Sequence, residues 1–117
     1  RSTRKESSAA SDVYKRQTLE CHLNYLAEVK LGVELQVRTQ LLGHDHKRLH
    51  IHHLIERCDD GQVVAESEQM LMNIDTASGR SAPFHERVAG RVTALAGAQQ
   101  ELSRSAYVGR VIGLPGR

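Results

Sequence analysis

Residues 33–55 read VELQVRTQLLGHDHKRLHIHHLI, and the fold turns on this stretch. In its first half Val33, Leu35, Val37, Thr39 and Leu41 alternate with Glu34, Gln36, Arg38 and Gln40. A period of two belongs to a strand with one buried and one wet face, because successive side chains leave a strand on opposite sides. Gly43-His44-Asp45-His46 breaks the pattern with turn-forming residue types. From Arg48 the alternation resumes, with Leu49, Ile51, His53 and Ile55 on one side and His50, His52 and Leu54 on the other. Two such runs around a short polar break predict an antiparallel hairpin.

Upstream, Leu19, Cys21, Leu23, Tyr25, Ala27 and Val29 alternate with polar residues and predict a long half-buried strand, joined to the hairpin by Lys30-Leu31-Gly32. Downstream, Asp59-Asp60-Gly61 signals a tight turn before a strand over Gln62–Ile74. There Val64, Met70, Met72 and Ile74 share a face with Glu66 and Glu68, as in a strand covered on both sides for part of its length. After a loop over residues 75–83, Pro83 is placed to open a helix. Phe84, Val88, Val92, Leu95, Ala96, Gln99 and Leu102 form its apolar stripe. Gly90 and Gly97 weaken that helix by about 1 kcal/mol each relative to Ala, so packing must hold it. The fold class is α+β: a four-stranded antiparallel sheet with a C-terminal helix, over residues 18–102.

The ends read differently. Residues 103–117 are Gly- and Arg-rich with Pro115 and predict an irregular tail. Residues 1–17, RSTRKESSAASDVYKRQ, are Ser-rich, charged and aperiodic, the composition of disorder. SAASDVYKRQ also looks like a translated adapter remnant, so this tail is set apart from the fold as non-native.

The 117 residues suit one domain or part of one. The net charge of +2 is misleading: residues 1–17 hold five Lys/Arg against two acids, leaving −1 for the rest. With no basic face on the domain, no Trp and a single Phe, nucleic acid is not an expected partner. Cys21 and Cys58 stand alone, which fits a reducing, cytoplasmic setting, and no apolar run is long enough to span a membrane.

Five of the seven histidines fall between His44 and His53. A metal needs three or four convergent ligands, and His50 with His52 supplies two, so no metal site is assigned. Polar residues on an open face or lining a pocket explain them more simply. Lys47 and Arg48 at the hairpin mouth suit a phosphate, though a solvated strand end is the commoner origin of such a pair. Glu20, His22 and Asn24 share one strand face, where a Glu and a His two apart can do acid–base work or simply face water. No nucleophile elbow, Gly-rich phosphate loop or His-Glu-x-x-His occurs, and no cofactor is called for.

Several pieces carry a resemblance: Glu20-Cys21-His22 with Tyr25-Leu26, Gly43-His44-Asp45, Lys47-Arg48-Leu49-His50, Ala65 to Leu71, Ala82-Pro83-Phe84 and Gly109 to Gly113. Together they resemble hotdog-fold acyl-CoA thioesterases of the 4-hydroxybenzoyl-CoA thioesterase group, and most of all the betainyl-CoA thioesterases of carnitine catabolism, which also occur fused behind L-carnitine dehydrogenase. The resemblance implies a partial hotdog fold, in which the first strand, the central helix and the Asp-Tyr-Asn-Gly-His-like segment at that helix's start are missing. The family places its catalytic groups there, so the catalytic residues are unknown and expected in the missing N-terminal segment. The full-length parent is then expected to be an enzyme and this chain inactive. The resemblance also implies an acyl-CoA substrate, a homodimeric or homotetrameric parent, Lys47 and Arg48 for coenzyme A phosphates, and Glu20, His22 or Tyr25 at the acyl end. Two other readings compete: the C-terminal part of an NAD-dependent carnitine dehydrogenase fusion, and a non-catalytic hotdog binding module.

Overall fold

The computed structural model describes residues 14–114. In chain order they form β1 (Tyr14–Tyr25), β2 (Leu35–His44), β3 (Arg48–Arg57), β4 (Val63–Asp75), β5 (Arg80–Ser81) and α1 (Glu86–Gln99). The sheet runs β1-β4-β3-β2, antiparallel throughout, and β5 adds a two-residue ladder to β4. The α+β class, the hairpin and the C-terminal helix stand as the sequence predicts, with β5 as a fifth strand too short to leave a periodic signal.

Local chemistry sets the turns. Asp45 closes the β2–β3 turn, its Oδ1 accepting from the backbone N–H of Lys47 at 2.9 Å and of Arg48 at 2.6 Å. Gly61, at φ +74°, takes the left-handed position of the β3–β4 turn, which costs glycine little. A bulge between Leu41 and Gly43 breaks the alternation, and Leu41 and Leu42 are both buried as neighbours. Helix α1 packs on β2. Gln99 Oε1 accepts from Leu41 N at 2.7 Å and Arg104 donates to the Leu42 carbonyl at 2.6 Å, so side chains satisfy groups on the outer edge of β2.

Three boundaries need correction. The ordered sheet starts at Tyr14, not at residue 18: Tyr14, Lys15, Arg16 and Gln17 pair with Asp75, Ile74, Asn73 and Met72. Composition alone reads these residues as tail because it cannot see the partner strand that satisfies their backbone. The rest of the expected disordered tail, residues 1–13, lies outside the described residues. At its other end β1 stops at Tyr25, not Val29, because Leu26 N and Ala27 N both turn to the Val64 carbonyl. Helix α1 starts at Glu86, not Pro83. Phe84 N is held by the His46 carbonyl at 2.9 Å, and His85 Nδ1 caps the helix by accepting from Arg87 N.

Burial follows the expected sides of the sheet only in part. Directly paired residues share a face, which puts Leu23 beside Ser67 and Val37 beside Ile55. On this apolar face Leu41 and Ile51 are buried, but Leu23 and Leu35 are exposed and Val37 is 58% exposed. On the polar face His22 and Asn24 are half-buried, and His52 and Glu66 are fully buried. The cause is the chain after α1, which crosses the polar face.

Candidate functional site

The polar face is a ladder of three strands. Register places Glu20, His22 and Asn24 of β1 opposite Met70, Glu68 and Glu66 of β4, with His50 and His52 of β3 on the far side of β4. Each histidine reaches diagonally to a carboxylate: His50 Nε2 lies 2.6 Å from Glu68 Oε2, and His52 Nε2 lies 2.7 Å from Glu66 Oε1. The same two carboxylates anchor the chain after the helix. Ser105 Oγ donates to Glu66 Oε1 at 2.5 Å, and Gly109 N donates to Glu68 Oε1 at 2.7 Å.

Between β1 and this crossing segment lies an open cleft of about 490 Å³. Glu20, His22, His50, Glu68 and Met70 line it, with residues 109–112 as its far wall. Burial disfavours ionisation of Glu68, but the Gly109 amide and the adjoining His50 and His22 outweigh it and hold the carboxyl below its ordinary range. The cleft therefore offers an ionised carboxylate, two imidazoles and an apolar rim of Met70, Val111 and Ile112, with the Arg110 guanidinium drawn aside over the Tyr107 ring. Such a set can attract a cation, move protons, or both.

Of the residues singled out in sequence, Glu20 and His22 enter the cleft. Tyr25 belongs to the opposite face and is 80% exposed. Lys47 and Arg48 sit at the β2–β3 turn, Lys47 Nζ donating to Ser81 Oγ at 3.1 Å and Arg48 forming an ion pair with Asp45 at 2.7 Å. That turn holds the Asp45 carboxyl down at about 2, chiefly through the Lys47 amide and the Arg48 side chain. Arg48 pairs with Met72, one step along the ladder from His50 and Met70, so it borders the cleft face. His50 and His52 serve separate carboxylates, and among the described residues no group of three or more His, Cys, Asp or Glu is placed to hold a metal.

Glu66, Glu68 and the crossing segment are functional candidates that sequence reasoning passed over. Their signal is present as Glu-x-Glu on one strand and His-x-His on its neighbour. It becomes legible only once β3 is known to pair with β4 in this register.

Among known proteins, the profile of the thioesterase-like superfamily matches residues 10–92. The chain is 58% identical over 98 residues to a betainyl-CoA thioesterase of Pseudomonas aeruginosa, covering 84% of this chain and 62% of that protein. It is 50% identical over 64 residues to an L-carnitine dehydrogenase/betainyl-CoA thioesterase of Agrobacterium fabrum, covering 55% of this chain and 13% of that protein. A hypothetical protein of Staphylococcus aureus solved in complex with CoA superposes with a TM-score of 0.80 at 29% identity, over 87% of this chain and 64% of the other. The chain thus spans less than two thirds of the Pseudomonas and Staphylococcus proteins.

Proposed function

Because the chain belongs to the thioesterase-like superfamily, we propose that its parent protein hydrolyses a small polar acyl-CoA thioester of the betainyl-CoA kind. The observation that carries this reading is the 58% identity with the Pseudomonas betainyl-CoA thioesterase. The two carboxylates of the cleft support it, since a betainyl group carries a trimethylammonium cation and Glu68, held ionised, lines the cleft together with Glu20.

In the reaction, water adds to the thioester carbonyl, the C–S bond breaks, and the sulfur leaves as a thiol after taking up a proton. The cleft residues position the substrate. Glu20 and Glu68 face the cationic end, which they attract by charge alone because a trimethylammonium has no N–H to donate, while His50 orients the Glu68 carboxylate and His22 lines the wall beside it. Arg48, by exchanging Asp45 for a phosphate, holds the coenzyme A end with Lys47 nearby. Carbonyl polarisation and water activation are assigned to residues outside 14–114. Assembly of the parent as a homodimer or homotetramer belongs to the same reading.

The test is a chimera in which residues 18–112 replace the matching part of the Pseudomonas protein. It should release free thiol from betainyl-CoA, Glu20→Gln should lower kcat/KM, and Arg48→Ala should mainly raise KM. A folded chimera with no thiol release, or one indifferent to both substitutions, overturns the reading. The Agrobacterium match favours a second reading, that the parent is a dehydrogenase–thioesterase fusion. A Gly-x-Gly-x-x-Gly unit in the parent's upstream sequence would decide for it.

A further inference from the structure

We infer that residues 109–112 form a lid over the Glu20–His50–Glu68 cleft, hinged at Gly109, which opens by parting Gly109 from Glu68 while Ser105 stays seated on Glu66. The segment is fastened at two points four residues apart, and the two fastenings are unequal. At the inner one, Glu66 is 6% exposed and His52 4% exposed, and Glu66 Oε1 takes both the His52 and Ser105 contacts. Ser105 Oγ also accepts from Tyr107 N at 3.0 Å, Val108 N bonds the Ser105 carbonyl, and Arg104 reaches the Leu42 carbonyl. Breaking this point would take from the buried Glu66 one of its two contacts and uncover the His52–Glu66 pair, with the local Ser105–Tyr107 turn and the Arg104 bond lost beside it, so it stays shut.

The outer fastening is a single N–H from Gly109 to Glu68, a carboxylate that itself lines the cleft. Beyond it Val111 and Ile112 stand 88% and 87% exposed, and among the described residues no backbone hydrogen bond ties residues 110–114 to the sheet. Gly109 sits at φ +78°, a conformation from which glycine can leave or return without steric cost. Swinging residues 110–112 outward sacrifices the Gly109–Glu68 hydrogen bond and the exposed stacking of the Arg110 guanidinium 4.9 Å over the Tyr107 ring, with almost no apolar contact. Closing them over a filled cleft would bury Val111 and Ile112, so a ligand favours the closed state. Only the identity of what lies beneath the lid rests on the thioesterase reading.

Amide exchange of the full chain, followed residue by residue by NMR, tests the lid without any ligand. In the unsubstituted chain Gly109 should be protected, but less than Tyr107. Glu68→Ala should speed Gly109 exchange roughly 10-fold or more while Tyr107 changes far less and His50–Ile55 hold. Glu68→Gln, which keeps an acceptor oxygen, should fall between. Ser105→Ala should free Tyr107 and Gly109 together. An unprotected Gly109 in the unsubstituted chain, equal acceleration of Tyr107 and Gly109 in Glu68→Ala, or a protected Gly109 in Ser105→Ala would each overturn the lid. Adding betainyl-CoA should slow Gly109 exchange further. Unchanged exchange in that arm alone, with the substitution pattern intact, counts against the substrate and leaves the lid standing.

Discussion

Asn73, 1% exposed at the end of β4, accepts from the Arg16 guanidinium at 2.9 Å. Its own amide donates to the carbonyls of Ala82 at 3.0 Å and Pro83 at 3.2 Å. One side chain thus joins the first strand, the fourth strand and the approach to the helix. Arg16 also stacks over the Phe84 ring at 5.1 Å, so the same corner carries the aromatic of the core. Asn73→Ala would leave three partners short and open a gap where burial is greatest. It should cost about 2–4 kcal/mol of unfolding free energy, read from urea denaturation. Removing residues 14–17 should cost stability as well, because it deletes four pairs of the β1–β4 ladder. A truncated chain melting like the full one would show that this corner is decorative.

The His52–Glu66 pair invites a double-mutant cycle. Both members are buried, with 2.7 Å between Nε2 and Oε1. Glu66→Leu strands the buried His52 and should cost about 3–5 kcal/mol, whereas His52→Leu leaves Glu66 held by Ser105 alone and should cost less. Replacing both should cost less than the sum, because the desolvation penalty then vanishes from both sides. Strict additivity in chemical denaturation would mean that the two side chains do not depend on each other.

Acid should loosen the molecule, and the sign follows from two carboxyls. Asp45 and Glu68 both have folded-state values below their ordinary ones, Asp45 at about 2. A depressed carboxyl stabilises the fold above its unfolded pKa, and that contribution is lost as pH falls through the folded value. Stability should therefore drop between about pH 4.5 and pH 2. Asp45→Asn should flatten the lower part of that decline. Thermal melts in steps of half a pH unit would check it, and an unchanged slope would show that Asp45 does not take part.

The apolar face of the sheet should be sticky. Leu23, Leu35 and Val37 are exposed on it, toward its ends from the buried Leu41 and Ile51. Apolar area of this kind invites association. The chain should bind a hydrophobic dye and show concentration-dependent sedimentation, and Val37→Lys should reduce both. A monodisperse chain without dye binding would show that this face is covered in solution.

Sequence alone determined the hairpin at residues 33–55, the strand after Gly61 and the helix stripe from Val88 to Gln99. All three rest on local rules: period two, turn chemistry and period 3.6 act over a few residues and can be read without partners. The same locality explains the boundary errors. Tyr14 to Gln17 look like tail until Asp75 to Met72 lie beside them, and Phe84 looks helical until the His46 carbonyl claims its N–H. The candidate site was legible only in halves. Glu20 and His22 were visible as a pair on one strand, and His50 with His52 as a pair on another, but their meeting place is β4, which neither pattern mentions. Only tertiary structure could decide that Glu66 and Glu68 answer the two histidines, and that Ser105 and Gly109, in an apparently structureless tail, fasten onto those same carboxylates. Strand order and register are long-range choices set by which faces can be covered together, and they join residues as far apart in the chain as Tyr14 and Asp75.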